Sequence, residues 1–176
     1  MAAYRHIALT ALAAALLVSA LWLVVSCSIS YSFTGTNINY EEIKTIQIDK
    51  ISNRAPYGWA PMEAMLNNDL QDKYANGTRL RIVKRNGDLQ IAGEITGYDQ
   101  FNKAVSADGY SSQVQLKMTV NIRYKNTKQN QQWEKQFSAT TQYDATQSLA
   151  TVQEALVSEM IDDIVDQIFN APVADW

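Results

Sequence analysis

Residues Ile7 to Val25 form a predominantly apolar stretch of 19 residues, long enough to cross a bilayer as a helix. Arg5 and His6 precede the stretch, and the small Ser26 and then Cys27 follow it. A positive start, an apolar centre and a small residue before a cleavage point are typical of a secretory signal peptide. An uncleaved membrane anchor and a soluble secreted form are the alternatives. In each case the fold has to be built from the residues that come afterwards.

The end of the apolar stretch narrows these alternatives. The tetrapeptide Val24-Val25-Ser26-Cys27 resembles a bacterial lipobox, in which a small residue precedes a cysteine that is acylated and becomes the first residue. This resemblance predicts a cleaved lipoprotein signal peptide over residues 1–26. A lipidated N-terminus and tether over residues 27–42 and a single domain over residues 43–176 follow it.

The composition of the mature chain excludes several kinds of chemistry. Of the 176 residues, 150 remain after cleavage, and the single histidine, His6, leaves with the signal peptide. Because Cys27 is the only cysteine and is predicted to carry lipid, disulfides, thiol catalysis and Cys/His metal sites are excluded. Loss of Arg5 takes the formal charge from −3 to −4, so no overall basic character recruits nucleic acid.

No sequence motif for a reaction is present either. The chain has no Gly-rich phosphate loop, no nucleophile elbow and no metal-ligand cluster. We therefore expect a protein that is not an enzyme, with no catalytic residue, no metal and no cofactor apart from the covalent lipid on Cys27.

Alternation of apolar and polar residues predicts the strands. The clearest example is "VQLKMTVNIRY", which places six apolar side chains on one face: Val114, Leu116, Met118, Val120, Ile122 and Tyr124. Similar patterns occur in "EEIKTIQIDKI" and "QQWEKQFSATTQY", and in "TRLRIV", which leads into "KRNGDLQIAGEI". Asn86-Gly87 in the last of these is a strong signal for a two-residue hairpin turn.

Two amphipathic helices complete the pattern. The first begins at Pro61 and is expected to stop at Asn76-Gly77, and the second covers residues 146–170 and is expected to end at Pro172. The order β-α-β-β-β-α predicts an α+β fold, with two helices packed on one face of a four- to five-stranded mixed or antiparallel sheet.

Positive charge is predicted to gather at one end of this sheet. In an antiparallel meander, alternate turns lie at the same end of the sheet. The turn with Lys84 and Arg85 and the turn with Lys125 and Lys128 are alternate turns, so we expect them to lie at the same end. Arg54 is added if the first strand pairs parallel with the second. We expect these five residues to contact an anionic partner, a phosphorylated lipid or an acidic protein surface. The alternative is that they only increase solubility.

The ordered set of segments resembles the LptE-like lipopolysaccharide-assembly lipoproteins of the Bacteroidetes type. The resemblance rests on "SCSISYSFTG", "IKTIQIDKISNRAP", "NGDLQIAGEITGYD", "NTKQNQQWEKQFSATTQYD" and "IVDQIFNAPVADW". It implies an outer-membrane lipoprotein, periplasm-facing and seated within a partner β-barrel, LptD, with which it delivers lipopolysaccharide. Cys27 matches the lipidated cysteine of the family. The alternative function is a periplasmic scaffold or pilot lipoprotein of another envelope machine.

Overall fold

The computed structural model describes residues 38–102 and 113–174, so the predicted signal peptide, Cys27 and most of the tether lie outside the described residues. Within these described residues, six strands and two helices follow one another. In order they are β1 (Thr45–Ile48), β2 (Ser52–Asn53), α1 (Pro61–Gly77), β3 (Arg81–Ile82), β4 (Leu89–Asn102), β5 (Gln113–Asn126), β6 (Gln131–Asp144) and α2 (Leu149–Ala174).

The strands form one mixed sheet in the order β3-β1-β4-β5-β6, with β2 paired to β4 beyond the end of β1. The short strand β1 runs parallel to both β3 and β4, while the three long strands β4, β5 and β6 are antiparallel. Both helices pack on one face. No described helix packs on the other face, which we call the open face. The predicted α+β class is confirmed, with a sheet of six strands.

The core lies between the helices and the apolar face of the central strand β5. All six positions predicted for that face are turned to the core, five of them buried, and Ile91 and Ile95 of β4 stand beside them. Burying such a side chain contributes about 1.5–3 kcal/mol. Helix α1 contributes Met62, Leu66 and Leu70 to the same core.

The two helices run side by side toward the same end of the sheet. The ring centroids of Tyr74 and Phe169 are 5.1 Å apart, and Lys73 forms an ion pair of 2.6 Å with Asp166. Gly77 is the last residue of α1, where a Cβ atom would lie 3.0 Å from the Phe169 ring. The helix ends at Asn76-Gly77 as predicted. The left-handed conformation that such a pair usually supplies at a helix end is not found, because neither residue has a positive φ.

The second helix, α2, ends later than predicted. Pro172 lies inside α2, two residues before its end at Ala174. A proline removes one backbone donor, in this case the one that would reach the carbonyl of Ile168. So close to the end of a helix, that single loss does not stop the last turn.

The first predicted strand, residues 41–51, is shorter than expected: only β1 lies within it, and β2 follows the turn of chain that contains Ile51. Ile51 is fully buried, and its backbone bonds to a side chain rather than to a strand. The Asn67 amide accepts from Ile51 N at 2.9 Å and donates to Ile51 O at 2.9 Å, and it also donates to Glu63 O at 2.6 Å. A helix side chain thus takes the place of a strand partner.

The hairpin predicted at Asn86-Gly87 is wrong. β3 and β4 do not pair, because they lie on opposite sides of β1 and are both parallel to it. Residues 83–88 instead cross the start of β1, and a Cβ atom on Gly87 would lie 2.4 Å from Gln47 N. Asn86 has the positive φ of 56° that the bend requires. The glycine is needed for close approach of two backbones rather than for a hairpin turn.

Asp88 fastens the end of this crossing segment to two other parts of the chain. Its Oδ2 accepts from Lys44 N and Thr45 N, each at 3.0 Å, and from the Thr45 hydroxyl at 2.8 Å. Its Oδ1 forms an ion pair of 3.2 Å with Lys128 in the β5–β6 turn. These hydrogen bonds lower the pKa of Asp88 from 3.8 to about 2, and the bond from the Lys44 amide has the largest effect.

We expect the substitution Asn67→Ala to lower the free energy of unfolding by about 3 kcal/mol, because it leaves the buried N–H and C=O of Ile51 unpaired. The neighbouring Asn68 is exposed, so Asn68→Ala is a matched control with an expected change within about 0.5 kcal/mol. Urea unfolding of the two variants measures the difference. Equal stabilities would show that the Asn67 amide does not replace a strand partner.

We expect Asp88→Asn to destabilise the protein at pH 7 by about 1–2 kcal/mol, since the amide keeps fewer acceptors and loses the ion pair. A lowered pKa stabilises the fold above the unfolded value, so the Asp88 contribution is complete above pH 4 and is lost as the pH falls toward 2. The stability gap between wild type and variant should therefore close over that range. The exposed Asp99 provides the control, and a gap independent of pH would contradict the assignment.

Candidate functional site

One end of the sheet, which we call the basic end, carries a concentration of positive charge. It is the end at which β1 and β4 begin and the β5–β6 turn lies, because Leu89 stands opposite both Ile46 and Asn126. Seven cationic residues lie there, and all seven are exposed: Lys44, Arg79, Arg81, Lys84, Arg85, Lys125 and Lys128.

Four of the five predicted contact residues meet at the basic end. Lys84 and Arg85 lie in the crossing segment, while Lys125 and Lys128 lie at the end of β5 and in the turn that follows. Thr127 N donates to Asp88 O at 2.8 Å, which ties the two segments together. The prediction from alternate turns therefore groups these four residues at one end of the sheet as they are found, although the first segment is not a hairpin turn.

Arg54 lies elsewhere. Its backbone N–H donates to Ile95 O at 2.9 Å, and Ile95 is six residues, about 20 Å, along β4 from the basic end. The pKa of Glu63 is lowered, mainly by Lys50 at 2.7 Å and to a smaller extent by Arg54, which places Arg54 near the first turn of α1. The first strand does pair parallel with β3, but its extension through β2 carries Arg54 away.

Sequence reasoning missed three cationic residues of the basic end. Lys44 comes directly before β1 and Arg81 begins the neighbouring β3, since Thr45 pairs with Arg81, and Arg79 lies just before β3. The "TRLRIV" segment contains the signal that could have identified them. If the first strand and this segment are aligned in parallel from their starts, Arg79 and Arg81 lie beside Lys44.

Two of the seven cations have partners and five have none among the described residues. Lys128 is paired with Asp88, and the Arg79 guanidinium lies 5.8 Å from the centroid of the Tyr40 ring. The side chains of the remaining five form no hydrogen bond, ion pair or ring contact within residues 38–102 and 113–172: Lys44, Arg81, Lys84, Arg85 and Lys125. Their charges are therefore available to a ligand.

A hollow of about 500 Å³ adjoins the basic end on the open face of the sheet. Ala92 stands opposite Arg123 across the β4–β5 pair, and its small side chain leaves the depression. Arg123 and Lys125 are two residues apart on β5 and point to the same face, about 7 Å apart along the strand. Asp49 and Glu134 lie at the sides of the hollow.

The residues that line this hollow are of the types that bind a ligand with phosphate and hydroxyl groups. Arg123 has no ion-pair partner among the described residues, because Glu134 opposite it accepts a hydrogen bond from Asn121 instead. A free guanidinium beside an ammonium can bind phosphate oxygens with charge-assisted hydrogen bonds. The flanking carboxylates and amides can accept from hydroxyl groups.

Buried aromatic side chains support the basic end from the helix side. Tyr124 and Trp133 are stacked with centroids 4.9 Å apart, and burial raises the pKa of Tyr124 to about 12. Trp133 Nε1 and the hydroxyl of Tyr74 are buried without a partner among the described atoms. Burial also raises the pKa of Tyr74. These rings fix the strand positions that present Arg123 and Lys125 on the opposite face.

The described part of the open face is mostly polar. The β6 positions on it alternate with the core-facing ones and carry amide, hydroxyl and carboxylate groups: Gln132, Glu134, Gln136, Ser138, Thr140 and Gln142. Such a face is suited to water or to a polar partner surface.

Within residues 38–102 and 113–174, two further properties bear on function. Neither helix combines the length and the apolar character that crossing a membrane requires. No group of three or more His, Cys, Asp or Glu side chains in this part of the chain could hold a metal ion.

Comparison with known proteins identifies the fold and the family. No curated protein sequence matches the chain. The structure is similar to the hypothetical protein CT253 from Chlamydia trachomatis, with a TM-score of 0.52 and 8% identity over 76% of this chain and 99% of that one. It is also similar to the rare lipoprotein B from Shewanella oneidensis, with a TM-score of 0.51 and 15% identity over 73% of this chain and 94% of that one. At these identities the likeness shows a shared fold.

A sequence model described as "LptE: Lipopolysaccharide-assembly" matches residues 43–171. The family consists of assembly lipoproteins that are not enzymes, which confirms the predicted lack of enzymatic activity and the predicted family resemblance. Because the match covers most of the chain, the protein belongs to the LptE family of lipopolysaccharide-assembly lipoproteins.

Proposed function

We propose that this protein is an outer-membrane lipoprotein, anchored by acylated Cys27 and facing the periplasm, that works with an LptD-type β-barrel to insert lipopolysaccharide into the outer membrane. Family membership over residues 43–171 supports a role in lipopolysaccharide assembly. The observation that carries the finer proposal is the basic end, where five exposed cations lack a partner within the described residues.

Lipopolysaccharide carries chemical groups that complement those of the basic end. It combines phosphate groups with sugar hydroxyls, and the hollow pairs Arg123 and Lys125 with flanking carboxylates and amides. Lys84, Arg85 and Lys128 extend the positive surface beyond the hollow. Each charge-assisted contact contributes about 1.5–3 kcal/mol when it is shielded from water.

The open face of the sheet is consistent with a seat inside a barrel. Large outer-membrane barrels have polar, hydrated interiors. The described part of the open face presents side chains that both donate and accept hydrogen bonds, with Phe101 as its large exposed apolar side chain. A small domain with such a face fits a hydrated interior of this kind.

Isolation of the native complex tests the partnership. We expect a tagged form of the protein, solubilised from its own membranes in mild detergent, to be recovered with an LptD-type barrel that mass spectrometry identifies. Residues 1–42 fused to an unrelated domain provide the control for recovery caused by the anchor alone. Recovery of another envelope assembly, such as a secretin ring without a barrel, would overturn the proposal.

A pair of substitutions on one strand tests the lipopolysaccharide contact. Lys125 and Lys117 both lie on the open face of β5, eight residues and about 26 Å apart, and only Lys125 is at the basic end. We expect Lys125→Glu to weaken binding of the purified protein to lipopolysaccharide by about tenfold or more, since it replaces an attraction with a repulsion. Lys117→Glu makes the same charge change and should have little effect. Equal losses in a binding titration would indicate a general charge effect without a site.

A further inference from the structure

The tether joins the described domain at the basic end. Tyr40 lies beneath Arg79, and Asn39 O accepts from Ile43 N at 2.9 Å in the turn that leads into β1. Lys44 N is then held by Asp88. The chain that comes from Cys27 therefore reaches the sheet at the basic end. The opposite end of the sheet, where Asn102 and Gln113 lie, we call the far end.

The length of the tether limits where this end can go. Eleven residue steps separate Cys27 from Ile38, which spans at most about 40 Å when fully extended. Strand β5 alone has 14 residues and is about 45 Å long. A membrane that holds Cys27 therefore always lies within reach of the basic end, whereas the far end reaches it only if the domain lies flat or turns over.

Charge selects between these orientations. With the adjoining hollow included, the basic end has eight cations, the seven and Arg123, against five carboxylates, those of Glu41, Glu42, Asp49, Asp88 and Glu134. The excess is three. Since the chain from Cys27 onward has a formal charge of −4, the rest of it has a charge of −7. An anionic surface attracts the first part and repels the second, over a range of about 8 Å at physiological ionic strength.

We propose that, before the domain is seated in a partner barrel, its basic end rests on the anionic headgroup layer of the membrane that holds Cys27, with the far end projecting away from it into the periplasm. This inference rests on the lipidation of Cys27 in the proposed function. It adds an interaction surface, with phospholipid headgroups as the partner, and it places the hollow with Arg123 at the membrane surface. Basic side chains next to a lipid anchor bind anionic lipids in this manner.

Two matched labelling sites can measure the orientation. Gln132 and Gln142 are both exposed on the open face of the edge strand β6, ten residues and about 33 Å apart, and only Gln132 is near the basic end. Each glutamine is replaced by cysteine in the mature lipoprotein and labelled with a fluorescent donor, while acylation blocks Cys27. Energy transfer to an acceptor lipid is then measured in vesicles of phosphatidylcholine with or without phosphatidylglycerol.

In vesicles that contain phosphatidylglycerol we expect about twofold or more stronger energy transfer from position 132 than from position 142, because of the 33 Å offset. The difference should shrink in pure phosphatidylcholine, at high salt and in the double variant Lys84→Glu, Arg85→Glu. Lys117→Glu should leave it unchanged. Equal transfer from both positions, or stronger transfer from position 142, would overturn the inference.

Two further outcomes separate this inference from the proposed function. Acylated protein with equal transfer at both positions overturns only the orientation. If mass spectrometry shows no acyl group on Cys27 and the protein does not bind vesicles, the lipidation proposal fails, and the orientation fails with it. A difference that appears only when lipopolysaccharide is added to the vesicles indicates a specific site for that lipid and contradicts a general headgroup contact.

Discussion

The carboxylate of Asp88 joins three parts of the chain that are far apart in sequence. One oxygen holds the backbone at the start of β1, the other holds Lys128 in the β5–β6 turn, and the residue itself ends the segment that crosses β1. These bonds add to the backbone pairing that holds β1 between β3 and β4. The positions of the cations follow from this junction, since each of the three connected segments carries some of them.

A single anionic group at the centre of a cationic surface has two effects. It lets three backbone segments converge without leaving their amides unpaired, because a carboxylate has about four acceptor positions. It also neutralises only Lys128 among the seven cations, so the surface keeps a clear excess of positive charge. Packing and charge are thus arranged by the same group, and the aromatic pair Tyr124 and Trp133 holds β5 and β6 together beneath it.

The sequence predicts those parts of the fold that have a strong local pattern. The alternation along β5 and β6 and the apolar face of α1 identify the core correctly, because each is set by burial of neighbouring residues. The strand connection at Asn86-Gly87 was predicted wrongly, since a glycine needed for close contact with Gln47 has the same local sequence as a hairpin turn. Only the long-range pairing of β1 distinguishes the two.

The same distinction applies to the candidate site. Lys84, Arg85, Lys125 and Lys128 could be grouped because strand alternation places alternate turns at one end. Arg54 was misplaced, because no local signal shows that Asn67 interrupts the first strand at Ile51. Arg123 was missed for a different reason: its role depends on Ala92, which lies opposite it on another strand.

The position of β1 also has a mechanical consequence. Any pull transmitted through the tether reaches the domain at Lys44 and Thr45, and is borne along a strand held on both sides by parallel neighbours. The domain therefore meets such a load in shear across two rows of backbone hydrogen bonds, rather than by peeling from an edge.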